Sequence, residues 1–143
     1  MADELKDFRK WKASCARVLA ERFPPDSSDF GPETLERDAH VDLSTRSNWA
    51  LACEEVLDTT HSHVYLRKCY EELRRRGKSD TEIQEMRKLA WYTAGWLNFP
   101  MMLWDWCSLD ERDIERAIDW LFRDRQISNE ERSEMLSFLK AHA

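Results

Sequence analysis

Two pairs of carboxylates have a spacing that suits metal binding. Glu33 and Glu36 are three positions apart, and so are Glu55 and Asp58. Side chains at positions i and i+3 share a helix face, so two such pairs on facing helices could hold Mg²⁺ through oxygen ligands. A Mg²⁺ ion held in this way serves phosphate chemistry. One hypothesis for this sequence is therefore a metal-dependent enzyme.

The same four residues resemble the E-x-x-E … E-x-x-D pattern of the MazG-like family, the all-α nucleoside triphosphate pyrophosphatases. The resemblance implies that Glu33, Glu36, Glu55 and Asp58 are metal ligands, with Mg²⁺ as cofactor and a nucleotide as substrate. It covers these four residues only, and the segment after Pro32 lacks the long apolar helix of that family. Because 28 of the 143 residues are acidic, such a pattern arises easily by chance. We favour a protein without a metal or other cofactor, and keep the enzyme as the alternative.

A histidine pair and a cysteine form a second candidate metal site. His61, His63 and Cys69 offer ligand atoms that zinc prefers. On a helix, however, positions i and i+2 point in nearly opposite directions, whereas paired helical ligands are three or four positions apart. The sequence therefore does not favour a zinc site.

The cysteines predict buried thiols in a cytoplasmic protein. All four are widely spaced and lie among apolar helix-forming residues, where a thiol behaves as a small hydrophobe; they are Cys15, Cys53, Cys69 and Cys107. Cys107 precedes a predicted helix, whose dipole would lower its pKa, but no histidine is close in sequence to activate it. We expect reduced thiols and assign no catalytic residue.

A run of basic residues could contact phosphate or RNA. It consists of Arg74, Arg75, Arg76 and Lys78 around Gly77, and guanidinium groups match phosphate oxygens well. The other interpretation is a helix C-terminus whose cations oppose the negative end of the helix dipole. We favour the second interpretation, and an RNA-contacting subunit of a larger complex is a further alternative.

The most apolar stretch, residues 91–107, reads WYTAGWLNFPMMLWDWC. From Leu89 to Trp104 there are 16 consecutive uncharged residues, whereas a membrane-spanning helix needs about 20 apolar ones. Gly95 and Pro100 also interrupt the run. These features argue against a membrane segment.

The two halves of that stretch predict different roles. Trp91, Tyr92 and Trp96 lie in a helix that is apolar on all sides, so we expect them in the core. Beyond Pro100 the aromatic and methionine side chains are too dense for one helical stripe. Since Met and Trp are frequent in binding patches, we expect a partner-binding surface there, with the candidates Phe99, Met101, Met102, Trp104, Asp105 and Trp106.

The elements that would position these residues are all helices. Apolar residues recur every three or four positions in several segments, and no segment alternates in the manner of a strand. The expected helices cover about 4–23, 45–58, 62–76 and 83–98. Ser108-Leu-Asp-Glu111 and Ser128-Asn-Glu-Glu131 open two more, and Ser79-Asp-Thr-Glu82 opens the helix over 83–98; all three have capping-box spacing. We predict one compact all-α domain over 1–143, with about six bundled helices and a linker at 24–32.

The charge distribution favours a protein partner over a nucleic acid. The net charge is −6, which argues against a duplex-DNA binder because phosphate contacts require a basic face. We therefore predict a non-enzymatic interaction module. One specific form is an acidic inhibitor or regulator that occupies a basic, nucleic-acid-binding site of its partner. The sequence is also compatible with a homo-oligomer.

Overall fold

Helices make up the regular structure of the described part of the chain. The computed structural model describes residues 7–20, 42–56, 63–101 and 109–143, and within them it contains α-helices but no strand. The helices are α1 (Phe8–Ala20), α2 (Asn48–Cys53), α3 (His63–Arg75), α4 (Asp80–Tyr92), α5 (Ala94–Asn98), α6 (Glu111–Arg123) and α7 (Asn129–Ala141). A 3-10 turn over Glu54–Val56 continues α2. The predicted all-α single domain is confirmed.

Helix α4 lies at the centre of the molecule. It packs against α1, α2 and α3 and leads directly into α5. Its inner side chains Ile83, Met86 and Ala90 are almost completely buried. Burial of each large apolar side chain contributes about 1.5–3 kcal/mol, so this helix organises the core around which the others assemble.

Two of the predicted capping boxes are present as expected. Ser79 Oγ accepts a hydrogen bond of 3.1 Å from the Glu82 amide, and the Glu82 carboxylate accepts one of 3.0 Å from the Ser79 amide. Ser128 and Glu131 repeat this exchange at the start of α7. Each box satisfies two backbone amides that the helix itself leaves without partners.

The third capping box was predicted at the wrong residues. The N-cap of helix α6 is Asp110, and its box pairs Asp110 with Asp113: the Asp110 amide donates to Asp113 at 2.9 Å. Both carboxylates also have the required spacing of three, and Asp caps a helix as well as Ser does. Glu111 instead accepts a 2.9 Å hydrogen bond from Ser47 Oγ, which joins the N-termini of α2 and α6.

The helix predicted over 83–98 is interrupted at Thr93. Helix α4 ends at Tyr92 and α5 begins at Ala94; Thr93 between them has φ −103° and ψ −76°, and its hydroxyl donates to the Leu89 carbonyl at 2.6 Å. Trp96, on α5, is fully buried as expected, whereas Trp91 and Tyr92 are half-buried at the edge of the core. Helix α5 ends before Pro100, as the sequence predicts.

Some sequence expectations fall on parts of the chain that the structure does not describe. They are the linker at 24–32 and the structural role of Ser108. Among the described helices, none combines the length and apolar character that crossing a membrane requires.

Candidate functional site

The predicted aromatic patch begins in a packed aromatic cluster. Phe99 stacks on Trp91 with ring centroids 5.9 Å apart, and its centroid lies 6.0 Å from that of Trp11. The Trp11 indole donates a 2.8 Å hydrogen bond to the Trp91 carbonyl, which fastens α1 to the end of α4. Phe99 therefore has a structural role, because it packs against Trp11 and Trp91.

The rest of the patch is only partly described. Met101 is half-buried and packs against the core. The remaining candidates lie outside the described residues; they are Met102, Trp104, Asp105 and Trp106.

The basic run is engaged in contacts within the chain. Arg74 donates to Asp80 at 2.9 Å, across the turn between α3 and α4. The guanidinium of Arg75 pairs with Glu72, and this contact together with Arg76 lowers the pKa of the Glu72 carboxyl from 4.5 to about 2.

Arg76 and Lys78 contact residues that are distant in sequence. Arg76 donates to the Asn48 side chain at 2.8 Å and to the Leu43 carbonyl at 3.1 Å, so it holds the segment before α2 against the end of α3. Lys78 Nζ lies 2.8 Å from Nδ1 of His142. Each member of the run thus has a partner within the protein, which accords with cations that finish a helix and tie its neighbours.

Glu55 belongs to a buried ion pair. Arg87 is 2% exposed, and its Nε donates to Glu55 at 2.7 Å while a terminal nitrogen donates to the other carboxylate oxygen at 3.2 Å. Arg87 also donates to Gln84 Oε1 at 2.9 Å and to the Val18 carbonyl at 3.3 Å. Burial lowers the pKa of Arg87, but its bonds to Glu55 outweigh this and hold that pKa above its ordinary value. We call these four residues the Arg87 clasp; it joins α1, the 3-10 turn and α4.

The clasp includes Glu55, one of the four proposed Mg²⁺ ligands. Both oxygens of Glu55 already accept hydrogen bonds from Arg87, and the other three candidates, Glu33, Glu36 and Asp58, lie outside the described residues. Within the described ranges there is no group of three or more histidine, cysteine or acidic side chains placed to hold a metal ion.

The described thiols are buried. Cys15, Cys53 and Cys69 are at most 2% exposed. Burial raises the pKa of each, to about 12 for Cys15. These thiols stay protonated at neutral pH and pack as small apolar side chains, as the sequence indicated. Of the three residues in the zinc hypothesis, Cys69 is a core residue, and neither His61 nor the side chain of His63 is among the described parts of the chain.

A surface groove lies between α4 and α7. Its volume is about 330 Å³, and both helices contribute apolar side chains to it: Leu89 and Tyr92 from α4, and Met135 and Phe138 from α7. Leu89 is buried, while the other three are half-buried and so present part of their apolar surface to solvent. We call this the α4/α7 groove.

The rim of the α4/α7 groove is charged. Glu85 and Lys88 stand on one side and Glu134 on the other. Lys88 lies 3.9 Å from Glu85 and both are about half exposed, so this pair is loose and accessible. The groove lining thus holds two carboxylates and one ammonium group, so its rim carries a formal net charge of −1.

Sequence reasoning missed this groove. The apolar pattern predicts Tyr92 in the core, whereas the structure leaves it half-buried at the groove. The helical spacing of the apolar residues in α4 and α7 does not indicate that the two helices leave a groove between them here. The one available signal was that Glu85 and Glu134 lie within a turn of these apolar residues.

Comparisons with known proteins give no relative from which to transfer a function. No protein-family model, curated protein or solved structure matches this chain.

Proposed function

We propose that this protein is a non-enzymatic interaction module that binds a helical segment of a partner protein in the α4/α7 groove. The bound segment is amphipathic, with an apolar stripe facing Leu89, Tyr92, Met135 and Phe138 and basic residues along its edges. The observation that carries the proposal is an accessible apolar groove with an acidic rim. In this role the protein acts as an acidic inhibitor or regulator of its partner.

The shape of the groove supports a helix as the ligand. Its walls are two helices, and a third helix can lay a stripe of side chains between them, as in helix-in-groove recognition. The volume of about 330 Å³ is at the low end for small-molecule and cofactor pockets, which span about 300–1,000 Å³. It suits a few apolar side chains better than a whole cofactor.

The composition of the groove supports a protein partner. Met135 is flexible and polarisable, so it can adapt to the side chains of a ligand. Tyr92 and Phe138 offer large apolar faces with few rotamers to fix, and aromatic side chains dominate binding energy at interfaces. The carboxylates at the rim favour a basic partner through charge complementarity, which mainly sets specificity and association rate.

A model peptide tests the apolar part of the proposal. The probe is a peptide of about 18 residues, long enough to form a helix, with leucines at helical spacing and lysines elsewhere. We expect Met135→Gln to weaken its binding about tenfold in isothermal titration, because the amide must be desolvated where the thioether was not. Since Met135 is half-buried, the thermal unfolding midpoint should change little.

Met101→Gln is the matched control. It makes the same replacement at another half-buried methionine outside the groove, so it should leave peptide affinity unchanged. Equal losses in the two variants, or no binding of the peptide by the unaltered protein, would contradict the proposal.

A further inference from the structure

Helix α6 presents an aromatic side chain to solvent. Trp120 is 36% exposed, more than any other large apolar side chain among the described residues. It lies on the side of α6 away from Ile114, Ala117, Ile118 and Leu121, which are fully buried. With Arg116, Asp119, Arg123 and Asp124 it lines a shallow depression of about 450 Å³. We call this the Trp120 face.

The charges of the Trp120 face are arranged symmetrically and with opposite sign about the tryptophan. Arg116 precedes Trp120 by four positions, and Asp124 follows it by four. Arg116 is a neighbour of Trp120 on the helix surface, since positions four apart share a face. Asp124 is the C-cap of α6; its amide donates to the Trp120 carbonyl at 2.9 Å, and both residues line the same depression. Asp119 and Arg123 already pair with each other at 3.0 Å, whereas Arg116 forms no ion pair with a described residue.

This pattern is complementary to itself. When two antiparallel copies of α6 meet across a two-fold axis at Trp120, Arg116 of each copy lies opposite Asp124 of the other. Both ion pairs form at once, and the two indole rings meet at the axis. Such isologous contacts are the commonest way in which identical chains associate.

We propose that the Trp120 face is a self-association surface whose occupant is a second copy of this chain, bound antiparallel along α6. The interaction is independent of the α4/α7 groove, which lies on other residues. One helix face buries less than the roughly 1,200 Å² of a standard interface, so we expect a weak dimer with a dissociation constant on the order of 0.1–1 mM.

Charge-reversal variants test this arrangement. Their dimerisation is measured by sedimentation equilibrium at protein concentrations from tens of micromolar to about 1 mM. Arg116→Asp places two carboxylates opposite each other at both ends of the contact, and Asp124→Arg does the same with two guanidinium groups. Each variant should weaken dimerisation about tenfold. An equimolar mixture of the two variants should regain it, because every facing pair is then of opposite sign.

Two further variants complete the test. Trp120→Ala should abolish the dimer, and since Trp120 is exposed the fold should persist by circular dichroism. Arg112→Asp is the matched control, because Arg112 is 87% exposed and does not line the Trp120 face; it should dimerise as the unaltered protein does. A monomer at every concentration, or a mixture that associates no better than the single variants, would overturn the proposal.

Discussion

The Arg87 clasp is the most consequential polar feature at the scale of single residues. An arginine that is 2% exposed is tolerated because Glu55, Gln84 and Val18 accept its hydrogen bonds. Removing one partner of a buried ion pair leaves the other charge without compensation, which costs far more than the pair itself contributes. The clasp therefore restricts the ways in which α1, α4 and the 3-10 turn can meet.

We expect Arg87→Leu to lower the free energy of unfolding by about 3–5 kcal/mol, since it leaves Glu55 buried and uncompensated. Urea denaturation monitored by tryptophan fluorescence measures this loss. Arg74→Leu is the control: the Arg74–Asp80 pair is about half exposed, and an exposed pair contributes at most about 1 kcal/mol. Similar losses in the two variants would mean that burial of the clasp is not what makes it important.

Glu55 also illustrates why residue roles are difficult to predict from sequence. Its spacing from Asp58 suggested a metal ligand, yet its carboxylate binds Arg87, 32 positions along the chain. No sequence pattern near Glu55 or near Arg87 predicts that the two residues pair. The basic run was easier to interpret, because cations at the end of a helix have a structural explanation within the same helix, and Arg75 does contact Glu72.

At the scale of elements, the approach of α1 to the α4–α5 junction depends on a small residue. Gly95 lies where a Cβ atom would come within 3.3 Å of both the Trp11 and Trp91 rings. That distance is tighter than ordinary van der Waals contact, and both rings are already held, Trp11 by its bond to the Trp91 carbonyl and Trp91 by stacking on Phe99.

Gly95→Ala should therefore destabilise the protein by about 1–3 kcal/mol, the usual cost of overpacking, although alanine is the better helix former by about 1 kcal/mol. Thermal unfolding in a double-mutant cycle with Trp11→Ala measures the contribution of the indole. We expect the penalty to shrink once Trp11 is removed. If Gly95→Ala stabilises the protein, this prediction is wrong: the Trp11 and Trp91 rings would then shift at little cost, and the helix propensity of alanine would outweigh the steric penalty.

Element positions were largely predictable because their signals are local. The serine–glutamate boxes correctly predict Ser79 and Ser128 as the N-caps of α4 and α7. The errors occur where two local signals compete or where tertiary contacts decide. At α6 two overlapping boxes were available and the Asp110 box formed. At Thr93 a side-chain bond to the Leu89 carbonyl accompanies the end of a helix whose apolar pattern continues.

At the scale of the whole molecule, the candidate sites are products of assembly. The two helices of the α4/α7 groove are 36 residues apart in sequence between Tyr92 and Asn129, and their separation at the surface follows from how each packs against other helices. Periodicity assigned their apolar residues to one interior. It could not show that Tyr92, Met135 and Phe138 stay partly open to solvent.

Reversing the charge of the groove rim tests the central claim most directly. Fluorescence anisotropy can compare two labelled peptides that share the leucine stripe, one with lysines and one with glutamates along its edges. The unaltered protein should prefer the lysine peptide, and Glu85→Lys with Glu134→Lys should shift that preference about tenfold toward the glutamate peptide. Glu71→Lys with Glu115→Lys makes the same change in net charge at exposed carboxylates outside the groove and should retain the original preference. Equal shifts in the two double variants, or no preference in the unaltered protein, would contradict binding of a basic helix in the α4/α7 groove.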